Sequence, residues 1–198
     1  MIVQALGIDA LFGYLAGSIP FGLILTRLAG LEDVRRIGSG SIGATNVLRT
    51  GRKDIAALTL LLDGGKGTFA AFYAYSYTGD YGFMYVAGLF AVIGHCANIW
   101  LLGRGGKGVA TGLGVFLAWA WPVFLVCGAL WLATAYLSRR SSLAGIVAFA
   151  AAPVVMLLLE SRGDALFVLL VSLVVIVRHH SNIRRLIAGT EPRIGAKG

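Results

Sequence analysis

Charged residues are scarce in this chain. Asp, Glu, Lys and Arg make up 13% of its 198 residues, against about a quarter in soluble domains. Hydrophobic residues make up 58%, and the mean hydropathy is +0.82. They lie in long runs without the alternation of a half-exposed helix or strand. A soluble protein of this size could not bury so much apolar surface, so the composition predicts an all-α integral membrane protein.

Acidic residues and cysteines are scarcer still. The chain has nine Asp and Glu in total, and no cluster of them that would hold magnesium. This argues against transfer chemistry that relies on paired aspartates and a metal. The two cysteines, Cys96 and Cys127, lie in apolar segments without disulfide or metal-binding spacing. We therefore expect no metal ion, no cofactor and no disulfide.

Seven apolar segments meet or approach the roughly 20 residues that a membrane-spanning helix needs. The first lacks the basic start of a signal peptide and contains Asp9, so we expect it to be retained. Polar, Gly-rich stretches separate several of the segments. The predicted spans are 3–27, 55–79, 81–100, 109–120, 122–138, 143–160 and 163–178.

The segment 109–137 fits either one long helix or two short ones, and Pro122 favours a break. Basic residues decide between the two. Seven spans with the N-terminus outside place 15 of the 17 Lys and Arg on the inner side, leaving Arg162 outside and Lys66 within a span. A single helix would split them 9 against 7. The positive-inside rule therefore predicts seven spans, an outside N-terminus and a cytoplasmic C-terminus.

The first of three unusual loops on the predicted cytoplasmic face is segment 38–49, with the sequence GSGSIGATNVLR. Its glycines let the backbone approach a ligand closely. Ser39 and Ser41 add hydroxyl groups, and Arg49 adds a planar guanidinium that suits phosphate. The segment is typical either of a flexible connection or of an anion site.

The second loop, segment 103–111, has the sequence GRGGKGVAT and leads into a predicted helix at Val109. A Gly-rich turn at a helix N-terminus presents free N–H groups and the positive end of the helix dipole to an anion. The alternative is a basic topology signal. A Walker A site is excluded, because Gly rather than Ser or Thr follows the lysine. The candidate phosphate-binding residues are Arg104, Gly105, Gly106, Lys107 and Gly108.

The third loop, segment 179–193, has the sequence HHSNIRRLIAGTEPR and begins where the last span ends. A histidine there can simply neutralise the helix dipole. A His–Asn pair can also orient or relay a proton. The His-x-x-Asn spacing favours His179 over His180 as the partner of Asn182. No cluster of Cys or carboxylate residues completes a zinc site.

Asp63 and Lys66 lie within the second predicted span, three residues apart. Ionisable groups at that depth are costly and are usually paired or functional. Their spacing places them on one helical face. They form either a structural ion pair that supports the site, or a site in which Lys66 binds the ligand directly.

The three loops, in this order, resemble the three motifs of the bacterial acyl-phosphate:glycerol-3-phosphate acyltransferases, the PlsY family. The segments GSIPFG (17–22) and LDGGKG (62–67) add to the resemblance, which covers essentially the whole chain. It implies one membrane domain, residues 1–198, in a bacterial cytoplasmic (inner) membrane. It also implies transfer of a fatty acyl group from acyl phosphate to the 1-hydroxyl of glycerol 3-phosphate, giving 1-acyl-glycerol 3-phosphate and phosphate, the first acylation of phospholipid synthesis.

The resemblance also implies roles for individual residues. Ser41 stands where the family often has Asn, and Ser142 resembles a family serine beside the phosphate site. The residues that match the family's functional positions are Ser39, Arg49, Lys107, His179, Asn182 and Glu191.

An acyl phosphate is already activated, so the implied mechanism needs no nucleophilic Ser or Cys. We expect direct attack by the glycerol 3-phosphate hydroxyl, with Arg49 and Lys107 holding phosphates and Ser39 donating a hydrogen bond. The base is either His179, oriented by Asn182, or an oxygen of a substrate phosphate.

A transporter of a phosphorylated solute is the main alternative, and a non-catalytic membrane subunit is another. A transporter needs polar residues through the middle of the bundle, and beyond Asp63 and Lys66 the predicted spans are apolar there. The expected partners are acyl phosphate, glycerol 3-phosphate and membrane lipid, with an acyl-phosphate-forming enzyme as a candidate and no nucleic acid.

Overall fold

The computed structural model describes residues 2–159 and 162–195. Within those ranges the chain forms helices and loops and no β-strand. Short 3₁₀ helices lie at Val34–Arg36, Leu48–Thr50 and Ile99–Leu101. The predicted end of the sixth span, at residue 160, lies outside the described residues. The α-helices in the described ranges are α1 (Ile2–Gly17), α2 (Phe21–Leu28), α3 (Ala44–Val47), α4 (Lys53–Thr78), α5 (Tyr81–Cys96), α6 (Val109–Trp119), α7 (Trp121–Ser138), α8 (Ser141–Leu159), α9 (Arg162–Arg178) and α10 (His180–Ile187).

Five helical segments among the described residues are long and apolar enough to cross a membrane. They are Val3–Leu28, Lys53–Thr78, Tyr81–Leu101, Trp121–Ser138 and Ser141–Leu159. Helices α9 and α10, bent by 60° at their junction, give a sixth candidate. The segment predicted as the fourth span forms α6, whose 11 residues are short of a span. The predicted helical membrane architecture is thus confirmed at the level of five or six candidate spans.

The predicted break near Pro122 is present. Helix α6 ends at Trp119, Ala120 has an extended backbone (φ −153°, ψ 88°), and α7 begins at Trp121. Pro122 lies in the first turn of α7, where its missing N–H would have no partner within the helix. The break frees α6 to pack mainly against α4, while α7 packs against α8.

Small residues bring the helices close together. A Cβ on Gly13 or Gly17 of α1 would lie 2.1 or 2.0 Å from a carbonyl oxygen of α5, so the two backbones are in contact. Around α6 the core is larger and apolar, with Phe116 and Phe149 fully buried and their rings 5.3 Å apart. Large apolar side chains such as Leu158, 78% exposed, cover the outside of the bundle, as a lipid-facing surface requires.

The predicted first span, 3–27, is interrupted between Gly17 and Phe21. Pro20 cannot donate a backbone hydrogen bond, and at this interruption the carbonyl oxygens of Ser18 and Ile19 accept hydrogen bonds from side chains that are distant in sequence. Asn98 Nδ2 donates to Ser18 O at 2.6 Å, and Lys66 Nζ donates to Ile19 O at 2.9 Å. Side chains from α4 and from the loop after α5 therefore stabilise the break.

Candidate active site

Loop 38–49 is organised by the side chain of Asn46, which is not among the predicted site residues. Asn46 Nδ2 lies 2.7–3.0 Å from the carbonyl oxygens of Val34, Ile37 and Ser41, and its Oδ1 accepts from Ser39 N at 3.2 Å. Asn46 is 3% exposed. A buried amide that bonds at both ends fixes the backbone, so this segment is a built loop rather than a flexible connection.

The predicted residues of this loop lie around Asn46. Ser39 is exposed at the loop surface, and Ser41 Oγ accepts from Gly43 N at 3.3 Å. Gly38 has a φ of +53°, and a Cβ there would lie 2.6 Å from Arg49 Cδ. Gly38 is therefore needed both for its backbone conformation and to let the Arg49 side chain cross the loop.

Loop 103–111 turns tightly against the end of α5. Gly106 N donates to His95 O at 3.0 Å, and Gly105 N donates to Cys96 O at 3.2 Å. These two amides therefore donate within the protein, whereas the sequence predicts that they are free to bind phosphate. The N–H groups of the first turn of α6, which begins at Val109, face the loop without an intrahelical acceptor. Gly108, with φ +85°, makes the turn into that helix.

The two cationic residues of this loop differ in environment. Arg104 is exposed, and its backbone N–H donates to Leu101 O. Lys107 is half-buried, and burial lowers its pKa to about 8. Glu191 opposes this shift in pKa, and the nearby Arg185, Arg178 and Arg49 add to it. Lys107 is therefore the point at which charges from all three loops meet.

His179 is buried, with 2% of its surface exposed. Its Nδ1 lies 2.8 Å from Val175 O, which makes Nδ1 the protonated nitrogen of the neutral ring. A Cβ on Gly145 of α8 would lie 3.3 Å from Nε2. Burial lowers the pKa of His179 to about 4, although the hydrogen bond to Val175 O acts to raise it. The ring is thus neutral at pH 7, with an Nε2 lone pair that can accept a proton or a hydrogen bond.

The sequence predicts that Asn182 orients the His179 ring, but in the structure Asn182 does not bond to it. Its Nδ2 donates to Glu191 Oε1 at 2.6 Å, and its Oδ1 is buried without a hydrogen-bond partner among the described residues. The ring is oriented by Val175 O instead. Asn182 instead fixes the carboxylate of Glu191, which follows α10.

Glu191 joins the last loop to α8 and α10. Its Oε1 also accepts from Ser142 Oγ at 2.7 Å, and its Oε2 accepts from Arg185 Nε at 2.7 Å. Burial alone would raise the pKa of Glu191, but the hydrogen bonds from Ser142, Asn182 and Arg185 outweigh it and hold the pKa below its usual value. Glu191 is therefore ionised, and Ser142, predicted beside a phosphate, donates its hydroxyl hydrogen to Glu191.

Three comparisons with known proteins bear on this arrangement. A family model described as glycerol-3-phosphate acyltransferase matches residues 8–189. The chain belongs to the glycerol-3-phosphate acyltransferase family. Relatives of that name from Rhodospirillum rubrum and Agrobacterium fabrum are 55% and 54% identical, covering 100% and 98% of this chain and 94% of each relative.

Solved structures agree with the family assignment. The chain is similar to crystal structures of PlsY, an integral membrane glycerol 3-phosphate acyltransferase, in a glycerol 3-phosphate form and a lysophosphatidic acid form. The TM-scores are 0.89 and 0.87 at 36% and 35% identity. The matches cover 96% of both chains for the first, and 95% of this chain and 94% of the other for the second. This member of the family is accordingly a multi-pass membrane enzyme.

Beneath the second loop, this acyltransferase contains the predicted ion pair. Lys66 Nζ lies 2.7 Å from Asp63 Oδ1, and both side chains are buried within the bundle. Lys66 Nζ donates a second hydrogen bond to Ile19 O, at 2.9 Å. These contacts favour the structural alternative for Lys66 over direct ligand binding.

Four residues of this acyltransferase that matter to the geometry were not selected as site residues from the sequence: Asn46, His95, Arg178 and Arg185. Arg178 Nε and Nη2 lie 3.4 and 3.5 Å from Gly106 O and Gly105 O. Asn46 and Arg185 lie inside motif loops and Arg178 directly precedes one, so proximity to the motifs was the available signal for these three. His95 lies in α5, outside the motif loops, and the motifs gave no signal for it. Among the described residues, no three His, Cys, Asp or Glu side chains come together as a metal ion would require.

Proposed function

We propose that the protein transfers a fatty acyl group from acyl phosphate to the 1-hydroxyl of glycerol 3-phosphate, releasing phosphate. The observation that carries this proposal is the cluster of cations around Lys107. Arg49, Arg178 and Arg185 come from three separate segments and lie close enough to influence the charge of Lys107. Both substrates carry phosphate groups of nearly two negative charges, which such a cluster is suited to bind.

The proposed chemistry needs no covalent enzyme intermediate. The glycerol hydroxyl oxygen bonds to the acyl carbonyl carbon, the bond from that carbon to the phosphate oxygen breaks, and phosphate leaves with both bonding electrons. Ser39 donates a hydrogen bond at the reacting centre. Arg49, Lys107 and the first-turn N–H groups of α6 hold the phosphates and stabilise developing charge.

The hydroxyl proton goes to His179 Nε2 or to an oxygen of a substrate phosphate. The hydrogen bond from Nδ1 to Val175 O favours a role as acceptor, because the neutral ring then has no hydrogen on Nε2. In this proposal Asn182 acts through Glu191 and not through His179. Glu191, together with Ser142, fixes Arg185 beside the phosphates.

The proposal includes the topology predicted from the basic residues. Seven spans, with α6 as a short one, place the N-terminus outside and the three loops on the cytoplasmic side of a bacterial inner membrane. Glycerol 3-phosphate is soluble and reaches the loops from the cytoplasm. Acyl phosphate has an apolar tail, so it reaches them from the membrane or directly from the enzyme that forms it.

The test is phosphate release by the purified, detergent-solubilised protein given palmitoyl phosphate, with and without glycerol 3-phosphate. We expect release only with both substrates, together with acylated glycerol phosphate as product. Lys107→Ala should abolish most of it, while Lys53→Ala, an exposed lysine at the start of α4, serves as the matched control. Folded protein that releases no phosphate would refute the proposal and direct the next assay to solute uptake into liposomes.

A further inference from the structure

We propose that His95 is a positioning residue that holds the Gly105–Gly106 turn and thereby sets the place of Lys107. The ring of His95 lies between the buried Asp63–Lys66 pair on one side and this turn on the other. The inference rests on the proposed phosphate-binding role of Lys107. It assigns a function to a buried histidine that lies outside the three motif loops.

The lower side of this arrangement is an ion pair within the bundle. Asp63 is fixed by its 2.7 Å contact with Lys66, and Lys66 is fixed again by Ile19 O at the break in the first span. His95 Nδ1 lies 3.7 Å from Asp63 Oδ1, beyond hydrogen-bond distance, and has no hydrogen-bond partner among the described residues. The ring is therefore held by packing, with its polar edge facing the carboxylate.

The upper side of the arrangement is the glycine turn. A Cβ on Gly106 would lie 2.1 Å from His95 Nε2, so the ring occupies the space that a side chain at position 106 would need. A Cβ on Gly105 would lie 1.9 Å from the backbone oxygen of His95. Both amides of the turn also donate to α5 carbonyl groups. The turn thus rests directly on His95, side chain and backbone together.

The position of Lys107 depends on this support. The nearby charges of Arg49, Arg178 and Arg185 repel the Lys107 ammonium group and lower its pKa. Glu191 attracts the ammonium group and raises the pKa of Lys107. The Arg178 guanidinium also lies 3.4 and 3.5 Å from the carbonyl oxygens of the turn. A turn packed against a rigid ring keeps Lys107 from moving away from these neighbours. A displacement of about 1 Å in such a site can cost about 10²-fold in rate.

The first test uses the predicted collision at position 106. Gly106→Ala should lower kcat/KM for glycerol 3-phosphate by about 10²-fold, because the methyl group must displace either the ring or the turn. In the double variant with His95→Ala the methyl group has room, so activity should exceed that of Gly106→Ala alone by about fivefold or more. Gly105→Ala is the matched control, since its collision is with backbone and His95→Ala should not relieve it.

The second test separates positioning from stability. His95→Ala should lower kcat/KM in the wild-type background but by less than about threefold in a Lys107→Ala background, where the positioned group is already absent. A histidine that only filled the core would cost the same factor in both backgrounds. Where His95→Ala yields too little folded protein by thermal melting, His95→Asn replaces it, because the shorter side chain also clears the space beside Gly106.

The outcomes are distinct. Rescue of Gly106→Ala and loss of the His95 effect in the Lys107→Ala background support the inference. Additive losses in both cycles, measured in a wild-type protein that transfers acyl groups, overturn it and leave the proposed reaction standing. A folded wild-type protein without acyl transfer refutes the proposed reaction itself, independently of His95.

Discussion

The charge of Lys107 should limit activity at high pH. Burial lowers the pKa of this side chain to about 8, so the lysine is about nine-tenths cationic at pH 7 and about one-tenth cationic at pH 9. If the cation binds a substrate phosphate, kcat/KM should fall about tenfold between pH 7 and pH 9. The second pKa of a phosphate monoester is about 6, so glycerol 3-phosphate itself keeps a constant charge over this window.

Lys107→Arg is the matched variant for this prediction. A guanidinium stays protonated throughout this pH range, so the variant should lose some activity at pH 7 through its different shape but show no fall up to pH 9. Phosphate release is measured at saturating palmitoyl phosphate and varied glycerol 3-phosphate, with spontaneous hydrolysis subtracted at each pH. The quantity to compare is kcat/KM, which reports groups of the free enzyme.

Two results would refute this reasoning. A wild-type profile that stays flat from pH 7 to pH 9.5 would mean that Lys107 either keeps its ordinary pKa or does not contact the phosphate. A Lys107→Arg profile that falls like the wild type would assign the titration to another group. In either case the α6 N-terminus and Arg49 would remain as the anion-binding elements, and the central role given to Lys107 would be wrong.

Three further substitutions test the other contacts. Asn46→Asp should inactivate the enzyme about 10²-fold despite its similar shape, because a carboxylate cannot donate to the three carbonyl groups that Asn46 bonds; equal activity would refute this organising role. Glu191→Gln should lower the free energy of unfolding by about 1–3 kcal/mol, measured by thermal melting in detergent, since a buried donor is left without an acceptor; an unchanged melting temperature would contradict it. His179→Gln should lower kcat by 10²–10⁴-fold if the ring is the base, with the exposed His180→Gln as control, and more than about a tenth of wild-type activity would exclude that role.

The membrane architecture was largely predictable from the sequence. Apolar run length predicted the helices, and Pro122 predicted the break that the structure has at Ala120. The break between Gly17 and Phe21 was missed, although it contains Pro20. It is stabilised by Asn98 and Lys66, which are distant in sequence, so the local pattern gives no sign that its carbonyl groups have partners.

The site was predictable at the level of motifs and not at the level of contacts. The loops containing Arg49, Lys107 and His179 were selected as candidates, and residues of all three regions influence the charge of Lys107. The roles of these residues in the reaction stay a prediction. The predicted pairing of Asn182 with His179 was wrong. Helix α10 directs the Asn182 amide to Glu191, nine residues later in the chain. This pairing depends on how the loop after α10 folds back to bring Glu191 beside that helix. The spacing of residues within a motif does not predict such a path.

The balance of charge in the site links its structure to its substrates. Among the described residues, Glu191 is the carboxylate that offsets the effect of the neighbouring cations on Lys107, and it also accepts a hydrogen bond from Arg185. A bound phosphate adds nearly two negative charges at this point, so it should raise the pKa of Lys107. The fall in kcat, which reports the enzyme–substrate complex, should then occur at higher pH than the fall in kcat/KM. In the proposed reaction, the bound phosphate therefore supplies negative charge that favours the protonated form of Lys107.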